Sequence, residues 1–522
     1  MNTKFLSLRP NFLTMKRHIL IFMVLAIWST LMVAQDSDSE QKVVDAEAVV
    51  SKTDQKVVIG GQTIELDAMA GTFKLRDENN KPIALLGFTS YMKKGGDENR
   101  PIMFAYNGGP GSSSFWLHMG VLGPKRIVVN DPEFTKAAPY PIVNNEYSIL
   151  DVADLVMIDP VGTGLSVPVG ESKFSDFWGV DQDIRSISLF ITQFLIEHGR
   201  MNSPKFLLGE SYGTFRNAGV MNRLLREGIA LNGVIMVSAV FDLRTLIFPP
   251  NDDLPYICHF PTYCATAWYH KKIDGANPDL EAFLDEVRDF TENRYMPALF
   301  KGTRLADEEK KELAMELSRF SGVSSDYWYK ADLKVTNGEF FQELFRDERR
   351  TVGRLDSRFT GISQDGISQN ASYDPQSAAI SPAYIAGFLD YLHKDLGVDR
   401  SATYSITAGR RPGFSWDWKH EGNMRWNTQA AINTGVDMAQ ALTRDPNMKV
   451  LVMNGYYDIA TVFYGVEHSI DHLGLPPEIL DNIIMKYYEA GHMMYTHPPS
   501  LVQFKDDLAS FVTEITSDTT KP

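Results

Sequence analysis

The chain has 522 residues, 44% hydrophobic and 22% charged, which is the composition of a folded globular protein. That length suits one large domain with an elaborate insertion, or two to three ordinary domains. The formal charge is −15, and loss of the first 34 residues, with Lys4, Arg9, Lys16 and Arg17 and no acid, would take it to −19. An acidic balance argues against nucleic acid or an anionic membrane surface as partner, because phosphate binding needs a basic face.

At the N-terminus, Lys16 and Arg17 precede an apolar run from His18 to Trp28 that continues to Ala34, followed by polar Gln35-Asp36-Ser37-Asp38. A basic stretch, an apolar stretch and a small residue before a polar start read as a signal peptide over 1–34. The competing reading is an uncleaved anchor, since residues 18–34 approach the minimum spanning length. After cleavage no stable membrane association is expected. The destination is then periplasmic or secreted. Residues 35–55 are polar and read as a flexible lead-in.

Alternating segments come next, at Gln62–Asp67, Gly71–Leu75 and Ile83–Tyr91, separated by turn residues; they suggest antiparallel strands at a sheet edge. Continuous apolar runs follow at Ile102–Tyr106, Leu155–Ile158, Phe206–Leu208, Val234–Val237, Val450–Met453 and Ile483–Tyr488, the pattern of strands buried on both faces of a parallel sheet. Helical periodicity lies between them. Ile184, Ile187, Ile191, Phe194 and Leu195 share one face, and 214–226 and 500–515 read the same way. Alternating strand and helix imply a doubly wound sheet.

The alternation stops between about Leu243 and Trp426, a region rich in Tyr, Trp, Phe and charged helical stretches such as 306–319 and 337–349. The expected organisation is an α/β-hydrolase core over 56–242 and 428–522, with a mostly parallel sheet and helices on both faces. A large, mainly helical cap is inserted over 243–427. Cys258 and Cys264, the two cysteines, are close enough in sequence to bridge in an oxidising compartment. With His259 and His270 they also suggest zinc, a weaker reading because structural zinc sites pair their ligands more tightly. No cofactor or metal is expected.

The chemistry sits at strand ends. Gly209-Glu210-Ser211-Tyr212-Gly213 follows a strand and precedes a helix, the context of a nucleophile elbow. A nucleophilic Ser needs a base and the base an orienting acid, in the chain order Ser, Asp or Glu, His. Asp458, in Asn454-Gly455-Tyr456-Tyr457-Asp458, and His492, in Ala490-Gly491-His492-Met493, each follow a late strand. Asp242 is the alternative acid. Asn107-Gly108-Gly109-Pro110-Gly111-Ser112-Ser113-Ser114 follows the strand at 102–106 and offers backbone N–H groups for an oxyanion.

Taken in order with Asp159-Pro160-Val161-Gly162-Thr163-Gly164, these motifs resemble those of serine carboxypeptidases, across roughly residues 60 to 515. The resemblance implies peptide substrates with a free C-terminus. It implies Ser211 as nucleophile, His492 as general base and acid, and Asp458 as its orienter. Gly109 and Tyr212 would supply the oxyanion N–H groups, and Asn107 and Glu210 would bind the terminal carboxylate. Many members place a second Glu before Leu-Gly-Pro, where this chain has Val121, and a Cys where it has Ser112. The missing acid weakens the case for strict carboxypeptidase action. It also leaves open Lys125 and Arg126 as a cationic anchor, and an esterase, an acyltransferase or an inactive binding protein as other functions. Without the second acid, Glu210 should hold its proton less tightly.

Overall fold

The computed structural model describes residues 47–97, 99–421 and 431–518. The expected signal peptide lies outside them. Nine strands form the body of the sheet. Three long antiparallel strands come first, β1 (Val50–Ile59), β2 (Gln62–Arg76) and β3 (Pro82–Lys93). They are followed by β4 (Ile102–Tyr106), β5 (Asp154–Asp159), β6 (Lys205–Glu210), β7 (Gly233–Val237), β8 (Lys449–Gly455) and β9 (Ile483–Tyr488). The spatial order is β1-β2-β3-β5-β4-β6-β7-β8-β9, and the short strand Val167–Pro168 adds to β3. Pairing is parallel from β5 to β9 and antiparallel from β1 to β5.

Two expectations change at the edge. Residues 50–55, read as flexible lead-in, are strand, because β1 pairs along its whole length with β2 through a turn at Gly60-Gly61 with both φ positive. Its polar sequence hides it, since Thr53, Gln55 and Lys56 present no apolar face. The segments at 62–67 and 71–75 are one strand, because Ala68, Met69 and Ala70 carry the alternation across the gap.

The central strands obey a period of two on both faces. Met103, Ala105, Leu155, Met157, Phe206, Leu208, Ile235, Val237, Leu451 and Met453 enter one core. Their neighbours Ile102, Phe104, Val156, Ile158, Leu207, Val234, Met236, Val450 and Val452 enter the other. Helices α1 (Val180–Glu197) and α2 (Tyr212–Arg226) cover the second face. The apolar stripe predicted on 184–195 is the buried side of α1.

Because β7 and β8 are parallel neighbours in register, all of residues 238–448 form one connection between adjacent strands. That connection holds α3 (Leu254–Tyr269), α4 (Leu280–Phe290), α5 (Asp307–Ser321), α6 (Pro375–Lys394) and α7 (Gly435–Arg444). Phe260, Phe283, Leu284, Leu317 and Trp328 give it a core of its own, which Tyr456, Tyr457, Ile459 and Phe463 after β8 join. Residues 337–349 are less helical than expected: a capping box on Thr336 starts Asn337–Glu343, and a short antiparallel pair, Arg350–Val352 with Thr360–Ile362, follows. Helix α6 turns back to the sheet, placing Ile380, Phe388 and Tyr391 in the first core beside Phe504 and Phe511 of the last helix, α8 (Pro498–Asp518).

Cys258 and Cys264, which could have bridged, lie on α3 as free, buried thiols. His259 and His270 bind the carbonyls of Pro255 and Ser357, each at 2.7 Å. Among the described residues no three His, Cys, Asp or Glu converge as a metal site.

Phe104 is fully buried and meets the ring of Phe194 edge-on at 5.8 Å. Truncating Phe104 to Ala should cost about 3–5 kcal/mol, read as a lower urea midpoint. A change below about 1 kcal/mol would mean the core collapses to fill the space.

Candidate active site

The elbow is built backbone against backbone. Ser211 sits between β6 and α2 at φ 61°, ψ −129°, a conformation strained for any residue with a Cβ. A Cβ on Gly209 would lie 2.2 Å from the carbonyl oxygen of Gly213, and one on Gly108 would lie 2.4 Å from the Tyr212 nitrogen. Glycine is therefore required on both sides of the contact that brings the 107–114 loop against the turn. The N–H groups of Gly109 and Tyr212 border the cavity beside Ser211, and neither donates a hydrogen bond among the described residues. The cavity has a volume of about 990 Å³, and Ser211, His492, Asn107 and Glu210 all line it.

Asp458 and His492 meet where the loops after β8 and β9 converge. His492 Nδ1 is 2.7 Å from Asp458 Oδ2, and Asp458 is fully buried. The carboxylate also accepts the N–H groups of Ala460 at 2.8 Å and Thr461 at 3.0 Å, with Thr461 Oγ1 2.7 Å from Oδ2. Burial disfavours charging the imidazole, but the Asp458 and Glu210 carboxylates outweigh it and hold its pKa above the usual value. Asp242, the alternative acid, is engaged elsewhere: it caps its own turn, pairs with Arg244 at 2.5 Å and accepts from Asn433.

Asn107 Nδ2 donates to Glu210 Oε1 at 2.7 Å, while Asn107 Oδ1 accepts from the Leu117 N–H at 3.1 Å. The second carboxyl oxygen, Oε2, has no hydrogen-bond partner. Burial pushes the Glu210 pKa up to about 7, against the lowering influence of His492, Tyr495 and Asn107. Desolvation thus raises the proton affinity of Glu210 without a second acid beside it. Val121 is fully buried and does not line the cavity. The phenol of Tyr495 instead faces Glu210, and a Cβ on Gly120 would fall 2.3 Å from its ring. Lys125 and Arg126 do not line the cavity either; Arg126 lies over the Tyr147 ring.

Several contributors left no sequence signal. The His492 N–H donates to the Leu355 carbonyl at 2.6 Å, and the Gly491 N–H donates to Asp356 at 3.1 Å. Asp356 is held by Arg358, which also grips Asp131 at 2.8 Å. These residues come from three distant stretches of chain, and only the fold joins them. Thr461 was within reach, three residues from Asp458 in a motif already singled out.

The family model described as serine carboxypeptidase matches residues 70–230, the stretch that carries both glycine loops and the elbow. Across those residues the chain is similar to the serine carboxypeptidase family. Among solved structures it resembles Kex1Δp, a prohormone-processing carboxypeptidase from Saccharomyces cerevisiae, at 18% identity and a TM-score of 0.52, covering 87% of this chain and 92% of that one. The proline iminopeptidase of Mycobacterium smegmatis is more distant, at 13% identity, a TM-score of 0.34 and coverage of 90% and 100%. No curated protein matches by sequence. The α/β-hydrolase fold expected from sequence is the fold observed.

Glu210 binds its proton more tightly folded than unfolded, so its contribution to stability is fully present below the ordinary pKa of 4.5 and is lost as pH rises through about 7. That difference amounts to about 3 kcal/mol between pH 4.5 and 7. Substituting Glu210→Gln should flatten this part of the stability profile, measured by urea unfolding at each pH. An unchanged slope would place the titration on another group.

Proposed function

We propose that this protein is an exported serine carboxypeptidase that releases C-terminal residues from peptides through an acyl-enzyme on Ser211. The observation that carries the reading is the Asn107–Glu210 pair, buried in the wall of the cavity that Ser211 and His492 line, with the Tyr495 phenol on the other side of the acid. A plain esterase has no need of a proton held on a buried acid beside its nucleophile. A peptide's terminal carboxylate does need one, because two carboxylates repel unless one is protonated.

The proposed steps use the residues that line the cavity. Ser211 Oγ attacks the last peptide carbonyl while His492 Nε2 takes its proton. Asp458 accepts the Nδ1–H and steadies the imidazolium. The oxyanion accepts from the N–H groups of Gly109 and Tyr212. Collapse of the tetrahedral species breaks the C–N bond, and His492 gives its proton to the departing amine. Water then cleaves the acyl-enzyme by the same route in reverse. Glu210, neutral below pH of about 7, donates to the terminal carboxylate and loses that ability when it ionises.

An esterase or acyltransferase remains the second reading, favoured by the apolar Val121 at the position of a second acid. Export is supported by the N-terminal pattern and is compatible with the fold, since β1 begins at Val50, beyond a cut near Gln35. Among the described residues no helix is long and apolar enough to cross a membrane.

A fluorophosphonate probe should label Ser211 in the intact protein and fail on the Ser211→Ala variant. Labelling of that variant at the normal rate would move the nucleophile elsewhere. The Asp458→Asn variant should fold and turn over roughly 10³–10⁴ times more slowly, by comparison with other triads. Free-acid peptides should bind more weakly above pH of about 7, amidated ones should not, and Glu210→Gln should remove the difference. Equal binding of both peptide forms at every pH would favour the esterase reading.

A further inference from the structure

Among the described residues, the cavity wall carries a guanidinium that no acid pairs with. Two arginines line it, Arg244 and Arg354. Arg244 is neutralised by Asp242 at 2.5 Å, with Asp252 also nearby. Arg354 is exposed and makes no ion pair or side-chain hydrogen bond among the described residues. Asp356, two residues on, is paired with Arg358, and Asp374 accepts the backbone N–H groups of Arg354 at 2.6 Å, Leu355 at 3.0 Å and Ser377 at 2.6 Å.

The mounting of this residue is what gives the charge a direction. The Arg354 carbonyl accepts the Ile459 N–H at 3.1 Å, one residue after Asp458, and the next carbonyl, that of Leu355, accepts the His492 N–H at 2.6 Å. The Arg354 backbone is therefore fixed between the two loops that carry the acid and the base. Its guanidinium lies close enough to oppose protonation of His492. In the proposed reaction His492 hands its proton to the departing amine, so the departing residue must sit on the His492 side of the scissile bond. Arg354 lines the same cavity and acts on the charge of His492.

We propose that Arg354 is a specificity-determining residue that selects peptides whose C-terminal residue is acidic, Asp or Glu, by pairing with the side chain of the residue released. The proposal rests on the carboxypeptidase reading of the same site and names its substrate class. The protein as a whole carries a charge of −15, so an acidic peptide is drawn to this cavity only by a local cation. A guanidinium meets a carboxylate with two parallel hydrogen bonds, which a glutamine amide cannot match.

The test uses the full chain and N-blocked peptides identical except for a C-terminal Glu, Gln, Leu or Lys. The wild-type protein should cleave the Glu peptide about tenfold better than the Gln peptide in kcat/KM, since charge-assisted pairs exceed neutral ones. Arg354→Gln should bring that ratio close to one, Arg354→Lys should keep part of it, and Arg354→Glu should turn the preference towards Lys. An unchanged ratio in Arg354→Gln overturns the proposal, as does an equal loss on all four peptides, which would mean Arg354 holds the main-chain carboxylate. The same peptides are also scored by protection of Ser211 from a fluorophosphonate probe, which needs no turnover. If none is cleaved but Glu protects better than Gln in the wild type and not in Arg354→Gln, the role of Arg354 stands and the exopeptidase reading falls. No selectivity in protection overturns the proposal regardless of cleavage.

Discussion

The guanidinium of Arg216 is sealed inside the protein, and the site depends on where it is held. It lies on α2, pairs with Asp183 of α1 at 2.6 Å, and donates to the carbonyl oxygen of Asn107 at 2.9 Å. The rings of Tyr106 and Tyr212 flank it at 4.8 and 5.4 Å. One cation thus fastens the elbow helix, the neighbouring helix and the glycine loop after β4. A buried ion pair of this kind is weak evidence for stability, because desolvating both charges offsets most of their attraction. Its value here is positional. It fixes the Asn107 carbonyl, and with it the start of the glycine loop, against the elbow helix.

On the other side of the cavity the base is held by the inserted region. Leu355 and Asp356 take the two N–H groups at Gly491 and His492, and Arg358 locks Asp356 to Asp131. The insertion is therefore a wall of the site as well as a roof over it. This explains why its segment 356–359 is buried while much of the same region faces solvent.

Wherever a strand is buried on both faces its apolar run is continuous, and β4 to β8 could be read directly from such runs, whereas β9 carries such a run at the sheet edge with Ile484 exposed. The elbow and the two late loops were legible too, because glycine spacing and chain order survive in one dimension. What stayed hidden has a common cause. Strand β1 is half-exposed and polar, so its pairing rests on backbone hydrogen bonds that leave no side-chain pattern. Asp131, Asp356 and Arg358 matter only through contacts spanning hundreds of residues. The proton affinity of Glu210 depends on how deeply it is buried, and depth is a property of packing rather than of composition. The cysteine pair misled for a related reason: six positions apart on one helix, the two thiols point to different surroundings.

The parallel register of β7 and β8 also sets a schedule. The strand bearing Ser211 is made early. The acid and base proposed to serve it arrive only after residues 238–448 have been synthesised, on the last two strands of the sheet. No N-terminal fragment can assemble them. On those proposed roles, a growing chain cannot complete the site until its final stretch docks.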